Sequence, residues 1–378
     1  MKKILISCGE PSGDLYAGAL AREIRSLDST IEIFGLGGEQ LQAASAELVA
    51  DYHGLTVTGL SEALAVLPRS YSTYRKIVAR AAADPPAVFV AVDFPDFNFR
   101  LAAAIRALGI PVVYYIGPQV WAWRRRRLQV LKRLVDRALV IFPFEAELYR
   151  DAGIPVEFVG HPLLELAIPT QTRHTFLETH GLNPNVRTIA LLPGSRPNEV
   201  KSIFPGLIDA ARLIASRLPD VQFVVARAPH LNRDLFYPIS DVPANSLVVV
   251  EGMTDDVLAA SDVVLTASGT ATVQAAIHQC PMVIVYRLSP VTYQIVKTFT
   301  HVENVGMVNL IARERIVPEL IQRAFTPDAV ADEAMKFLQD SAYAQQTRTA
   351  LGHVRSKLGQ VGASRRAAEA VLSVMRST

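Results

Sequence analysis

Three residues stand where an apolar run gives way to a polar loop: Glu10 after KILISC, Asp93 after AVFVAV and Arg196 after TIALLP. A carboxylate held partly out of water at such a place is a proton acceptor for a hydroxyl group. An arginine among small residues is a counter-charge for an oxyanion. The first loop, Gly9-Glu10-Pro11-Ser12-Gly13-Asp14, has the strand–turn–helix layout of a phosphate loop. Its two acids would repel a phosphate, and it lacks the Gly-x-Gly-x-x-Gly spacing of a dinucleotide site. It suits hydroxyl groups. Ser12 or Asp14 is expected to cap the helix that follows, which leaves Glu10 to face a polar substrate.

The second loop, Asp93-Phe94-Pro95-Asp96-Phe97-Asn98, offers Asp93 as a general base, with Asp96 or Asn98 expected to start the helix FRLAAAIRAL. Two acids without a nearby histidine make a poor metal site. The third stretch, Gly117-Pro118-Gln119-Val120-Trp121-Ala122-Trp123, precedes Arg124–Arg127 and holds both tryptophans of the chain. Two such rings at a strand end suggest a surface for an amphipathic ligand. The fourth region pairs LLPGSR with ASGTAT. There Gly194, Ser195, Ser268, Gly269 and Thr270 open helices with no carboxylate expected nearby. Free amides and the positive end of the helix dipole then make a diphosphate site, with Arg196 adding a charged contact.

The elements that carry these loops read as two series of parallel strands. KILISC, IEIFGL, AVFVAVD, IPVVYYI, ALVIF and VEFVG alternate with helix-length segments, and RTIALLP, VQFVVA, SLVVV, DVVLTA and PMVIVY follow after Gly160-His161-Pro162 and a linker with a short helix. Continuous Val/Ile runs between helices indicate parallel sheets covered on both faces. The 378 residues exceed a comfortable single core. Two doubly wound domains facing a cleft are therefore expected, with ligands at the carboxyl ends of the strands. Beyond about Thr326 the tail reads as helices returning to the first domain. The expected boundaries are 1–165 plus about 345–378 for the first domain and 166–344 for the second.

Half the residues are hydrophobic and the formal charge is only +2, from 38 bases against 36 acids, so no nucleic-acid partner is expected. The bases are unevenly placed: nine Arg or Lys against Asp136 alone between Arg100 and Val140, and six against Glu369 alone from Gln345 onward. Cys8 and Cys280 lie far apart beside apolar runs and read as buried thiols in a reducing compartment. No run approaches the ~18 apolar residues of a membrane span, and the apolar stretch in MKKILISC is too short for a signal core. A cytoplasmic chain is expected. Leu60, Leu64, Leu67, Tyr71, Tyr74 and Val78 form a helical stripe with Arg69, Arg75, Lys76 and Arg80 nearby, interrupted by Pro68. Two short helices, or a helix and a turn, meeting an anionic bilayer peripherally are the expectation.

Taken together, GEPSGD, DFPDFN, PQVWAWR, GHP, LLPGSR, SGTAT and CPMVIVYR resemble, in order and spacing, the lipid-A-disaccharide synthases, over nearly the whole chain. The resemblance implies a GT-B fold, an α/β pair of Rossmann-like domains. It also implies inverting transfer of 2,3-diacylglucosamine from its UDP derivative to the 6-hydroxyl of 2,3-diacylglucosamine 1-phosphate. Asp93 matches the family's essential carboxylate, Arg196 its essential arginine and Glu10 its first-loop acid. Ser195, Ser268, Gly269 and Thr270 would meet the UDP phosphates beside Gly194. Asn309, with Glu319 and Gln322 in an expected helix after Val317, resembles the remaining nucleotide-side polar positions. Gln274 departs from the glutamate of many relatives, which in two-domain transferases meets the ribose; an amide still accepts and donates there, so glutamate is expected to be tolerated at that position. No metal or cofactor is expected. The implied partners are the two acylated sugars and an anionic membrane at the inner face of the inner membrane, with a homodimer as the assembly to test. A UDP-sugar epimerase, a transferase with a soluble acceptor and a non-catalytic UDP- or lipid-binding module are the rival readings.

Overall fold

The computed structural model describes residues 2–55, 60–118, 126–237, 246–287 and 305–376. They form two compact units, Met1–Pro162 with Leu358–Thr378, and Leu163–Lys357. The first unit runs β1 (Lys3–Ser7), α1 (Pro11–Leu27), β2 (Glu32–Gly37), α2 (Glu39–Ala43), β3 (Glu47–Asp51), α3 (Leu60–Ala83), β4 (Val88–Val92), α4 (Pro95–Ala107), β5 (Val112–Tyr115), α5 (Arg126–Leu134), β6 (Arg137–Val140), α6 (Pro143–Asp151) and β7 (Val156–Phe158). Its strands are all parallel, in the order β3-β2-β1-β4-β5-β6-β7. The chain works outward in one direction from β1, then crosses back to start again at β4. That reversal leaves a crevice at the carboxyl ends of β1 and β4.

Burial explains why these segments became strands. Val88, Phe89, Val90, Ala91 and Val92 are all fully buried, so β4 is covered on both faces and reads as an unbroken apolar run. Helix α1 starts with Pro11 in its first turn and buries Tyr16, Ala17, Leu20, Ala21 and Ile24, the three- and four-residue spacing of one face. Burying Leu20 and Ile24 contributes about 1.5–3 kcal/mol each. Helix α3 is continuous through Pro68, where two short helices, or a helix and a turn, were expected. Pro68 lies in an exposed stretch with Leu67 and Arg69, and there a carbonyl left without its donor can be satisfied by solvent.

The second unit runs α7 (Leu163–Leu166), α8 (Arg173–Thr179), β8 (Arg187–Leu192), α9 (Pro197–Arg217), β9 (Val221–Arg227), β10 (Leu247–Glu251), α10 (Thr254–Ala260), β11 (Val263–Ala267), α11 (Thr270–Ile277), β12 (Met282–Tyr286), α12 (Met307–Ala312), β13 (Glu319–Ile321), α13 (Pro327–Gln339) and α14 (Ser341–Lys357). Its sheet, β10-β9-β8-β11-β12-β13, is also parallel and reverses between β8 and β11. The segment after His161 carries two short helices rather than one. Helix α14 packs on α11, α12 and α13, so residues 345–357 belong to the second unit and the return to the first begins at Leu358. There α15 (Ala363–Arg376) lies on α1. Arg365 pairs with Glu23 at 3.5 Å, and Arg366 donates to the Val159 carbonyl at 2.9 Å. Both cysteines are buried free thiols. Among the described residues no helix is long and apolar enough to cross a membrane.

Candidate active site

In the first unit the chain leaves β1 through Cys8-Gly9-Glu10 and leaves β4 through Asp93-Phe94, so Glu10 and Asp93 emerge side by side at the reversal of strand order. The two loops touch: a Cβ on Gly9 would stand 2.2 Å from the Phe94 ring, so only glycine fits. Asp93 and Phe94 both hold left-handed backbone, at φ 47° and 50°, a conformation that costs non-glycine residues energy and needs support. The support comes from Asn98 and Tyr114. The buried Asn98 amide donates to the Asp93 carbonyl at 2.8 Å and to the Ser7 carbonyl at 3.1 Å, and its oxygen accepts the Ser7 hydroxyl at 2.7 Å. The Tyr114 hydroxyl donates to the same Asp93 carbonyl at 2.8 Å. Burial, then the nearby Asp93 charge, pushes the Tyr114 proton well up, so this donor stays neutral. The Asp93 backbone is thus fastened while its carboxyl group remains half-buried at the rim.

The capping expectations for these loops need correction. Helix α1 is entered through Glu10 and Pro11 without a side-chain cap. Asp14, almost fully buried, instead accepts the backbone N–H groups of Gly38 (2.8 Å), Gln40 (2.8 Å) and Leu41 (3.2 Å). It caps α2, not its own helix. Helix α4 is entered through Phe94, Asn98 is an internal clamp, and the exposed Asp96 pairs with Arg127. Trp121, Trp123, Arg124 and Arg125 lie outside the described residues.

In the second unit Gly194, Ser195 and Arg196 follow β8, and Ser268, Gly269 and Thr270 follow β11, again at the reversal. Among the described residues a Cβ on Gly269 would meet nothing within 4 Å, and Gly269 and Thr270 are exposed, so no described residue covers the start of α11. The Ser268 hydroxyl donates to the Val305 carbonyl at 3.3 Å. The loop after β8 differs from expectation, for it does have a carboxylate. Glu199, in the first turn of α9, accepts the Ser195 N–H at 3.2 Å and lies 3.3 Å from an Arg196 guanidinium nitrogen. The spacing Arg196-x-x-Glu199 is the one sequence signal that would have shown it.

Gln274, four residues beyond Thr270 on the same face of α11, donates from its amide nitrogen to both Asp255 oxygens at 3.1 and 3.3 Å. His278, one further turn along, sits 3.0 Å from the same carboxylate. Because a carboxylate only accepts, Asp255 engages the Gln274 nitrogen and leaves its carbonyl oxygen outside this pair. The expected tolerance of Gln274→Glu therefore reverses. Two carboxylates would face each other at hydrogen-bond distance, lowering stability by about 1–2 kcal/mol. Adding Asp255→Asn should restore it, since the pair again carries one charge; thermal unfolding of the two variants checks both halves.

Asn309 and Glu319 belong to one buried network, and Glu319 lies on β13 rather than on a helix, while Gln322 opens the short 3-10 helix Gln322–Ala324 that follows. Gln322 has φ 58°, and its buried amide nitrogen has no hydrogen-bond partner among the described residues. Among the described residues no three His, Cys, Asp or Glu side chains converge as a metal site would require.

The family of lipid-A-disaccharide synthetases matches residues 4–374. The chain is 41% identical to the lipid-A-disaccharide synthase of Geobacter sulfurreducens over 376 residues, covering 99% of this chain and 97% of that one. It is 39% identical to that of Myxococcus xanthus over 373 residues, with the same coverages. Its fold is shared with the S. aureus MnaA–UDP structure (TM-score 0.70, 13% identity, covering 100% of this chain and 98% of that one). It is shared also with the glycotransferase of kitacinnamycin (TM-score 0.65, 17% identity, 99% of each chain). With the acid-bearing and phosphate-type loops standing at the two strand-order reversals of this fold, and with relatives of about 40% identity matching end to end, the chain belongs to the lipid-A-disaccharide synthase family.

Proposed function

We propose that this protein transfers 2,3-diacylglucosamine from its UDP derivative to the 6-hydroxyl of 2,3-diacylglucosamine 1-phosphate, with inversion, giving a β-1,6 disaccharide 1-phosphate and UDP. The observation that carries this is the division of chemistry between the two strand-order reversals: Glu10 and Asp93 with no arginine in their loops at one, and helix starts with Arg196, its charge balanced by Glu199, at the other. Asp93 takes the proton of the acceptor hydroxyl. The hydroxyl oxygen then attacks the donor C1 from the face opposite UDP, and the C1–O bond breaks with its electron pair passing to the β-phosphate. Arg196 and the amides around Ser195 and Ser268–Thr270 neutralise that charge. Glu10 orients acceptor or sugar hydroxyls, and the Gln274 oxygen accepts from a ribose hydroxyl. Asn309, Glu319 and Gln322 shape the segment behind Ser268. UDP release from the diacylated donor, with and without acceptor, tests the reading. Acceptor-dependent release supports it; an epimerised donor, or binding without turnover, overturns it.

Both substrates carry acyl chains and lie at a bilayer, so the first unit is proposed to meet an anionic membrane peripherally, at the cytoplasmic face of the inner membrane. Support comes from α3, where Leu67 and Tyr71 are 51% and 62% exposed among exposed Arg69, Arg75 and Lys76. Tyr74 and Val78 pack against the core instead, and the side chains of Leu60 and Leu64 lie outside the described residues. The double replacement Leu67→Ser with Tyr71→Ser is expected to abolish co-sedimentation with anionic vesicles while thermal stability and UDP binding stay unchanged. Unaltered sedimentation would place the contact elsewhere.

A further inference from the structure

The loop after β8 already holds an anion of its own. Glu199 folds back over Gly194–Arg196, with one oxygen accepting the Ser195 N–H at 3.2 Å and the other 3.3 Å from the Arg196 guanidinium. Only 16% of its side chain is exposed. Gly194, at φ 122°, is what admits it: a Cβ there would stand 2.6 Å from the carboxylate and 2.8 Å from the Glu199 Cβ. On the loop's other polar group, His230 Nε2 donates to the Ser195 carbonyl at 2.8 Å. The Tyr286 proton is held up by burial and then by the Glu199 charge, with Arg196 pulling the opposite way.

A backbone N–H, a guanidinium and the positive end of α9 are what an incoming phosphate needs. Ser195 has a single N–H to give, and two oxyanions repel each other at this distance. We propose that Glu199 is a resident anion of the diphosphate seat: it stabilises the loop when empty, and it yields the Ser195 N–H and the Arg196 guanidinium when a nucleoside diphosphate arrives. The proposal rests on the reading of this loop as the UDP phosphate site. Its consequence for turnover is a seat that holds the diphosphate less tightly than the loop alone would, which favours release of UDP.

Titration calorimetry with uridine and UDP, on the wild type, Glu199→Gln and Arg196→Ala, tests it. Glu199→Gln is expected to tighten UDP by about tenfold, the worth of a charge-assisted hydrogen bond no longer surrendered. Uridine, which has no phosphate, should bind both proteins equally. Unchanged or weaker UDP binding in Glu199→Gln overturns the proposal, since Glu199 would then be a fixed support for Arg196. Arg196→Ala separates the two levels: if it binds UDP as the wild type does, the phosphate reading itself fails. Should Glu199→Gln not fold, the Ser195 amide resonance of the wild type decides. It must move with UDP and not with uridine, and a resonance that stays put under UDP overturns the exchange.

Discussion

Asp93→Asn is expected to lower kcat by about two to four orders of magnitude, the typical worth of a positioned general base. UDP affinity and the thermal unfolding midpoint should be unchanged. The substitution is chosen on structural grounds. Asn98 and Tyr114 grip the Asp93 carbonyl, a backbone group that asparagine retains. Asparagine is also among the residues that tolerate the left-handed backbone found here at φ 47°. Alanine would mix loss of basicity with backbone strain. Asparagine keeps the shape and can still accept a hydrogen bond from a hydroxyl, but it cannot take the proton. A variant that keeps more than about a tenth of the wild-type kcat would remove Asp93 from the role of base.

The part of this molecule that the sequence made legible is the part where local pattern and burial coincide. Strands β1, β4, β8 and β11 lie at the middle of their sheets, covered on both faces, so they read as unbroken apolar runs. Each loop that follows such a run could be placed at a strand's carboxyl end by reading the sequence alone. Edge strands carry a weaker signal. β3 is half-exposed and bounded by Glu47 and Asp51, and β13 is three residues long, which is why Glu319 was expected on the same helix as Gln322, where only a short 3-10 turn begins.

Hydrogen bonds between segments distant in sequence were illegible for a different reason. The partners of Asp14 lie at Gly38–Leu41 and that of Gln274 at Asp255, and a capping rule sees only neighbours. Their effect is large all the same. The acid of the first loop that looked most like a local cap fastens its own helix α1 to the start of α2. The amide at Gln274, meant to be weighed against a glutamate, is already half of a pair with an acid elsewhere. A substitution at either position is judged by the partner, not by the residue's own chemistry.

Glu319 shows the same principle at its greatest cost. Its two oxygens accept the N–H groups of Val305 (2.8 Å) and Gly306 (3.0 Å) and the Asn309 amide (2.7 Å), in a site where Glu319 is only 8% exposed. Asn309, fully buried, spends the rest of its capacity on the backbone of Ile316 and Val317. Glu319→Ala leaves three donors without an acceptor, at about 1–3 kcal/mol each where buried. A loss of about 3–5 kcal/mol is expected, lowering the unfolding midpoint of the second unit by roughly 6–20 °C. The isosteric Glu319→Gln is the sharper test. It exchanges one acceptor oxygen for an NH2 group, which must then face either the Val305 N–H or the Gly306 and Asn309 donors. Both orientations set donor against donor, so glutamine should cost about 1–3 kcal/mol despite its identical shape. Because the Ser268 hydroxyl leans on the Val305 carbonyl, UDP binding should weaken in parallel. Wild-type stability in Glu319→Gln would mean that the three donors find other acceptors, and that the segment behind Ser268 does not depend on this carboxylate.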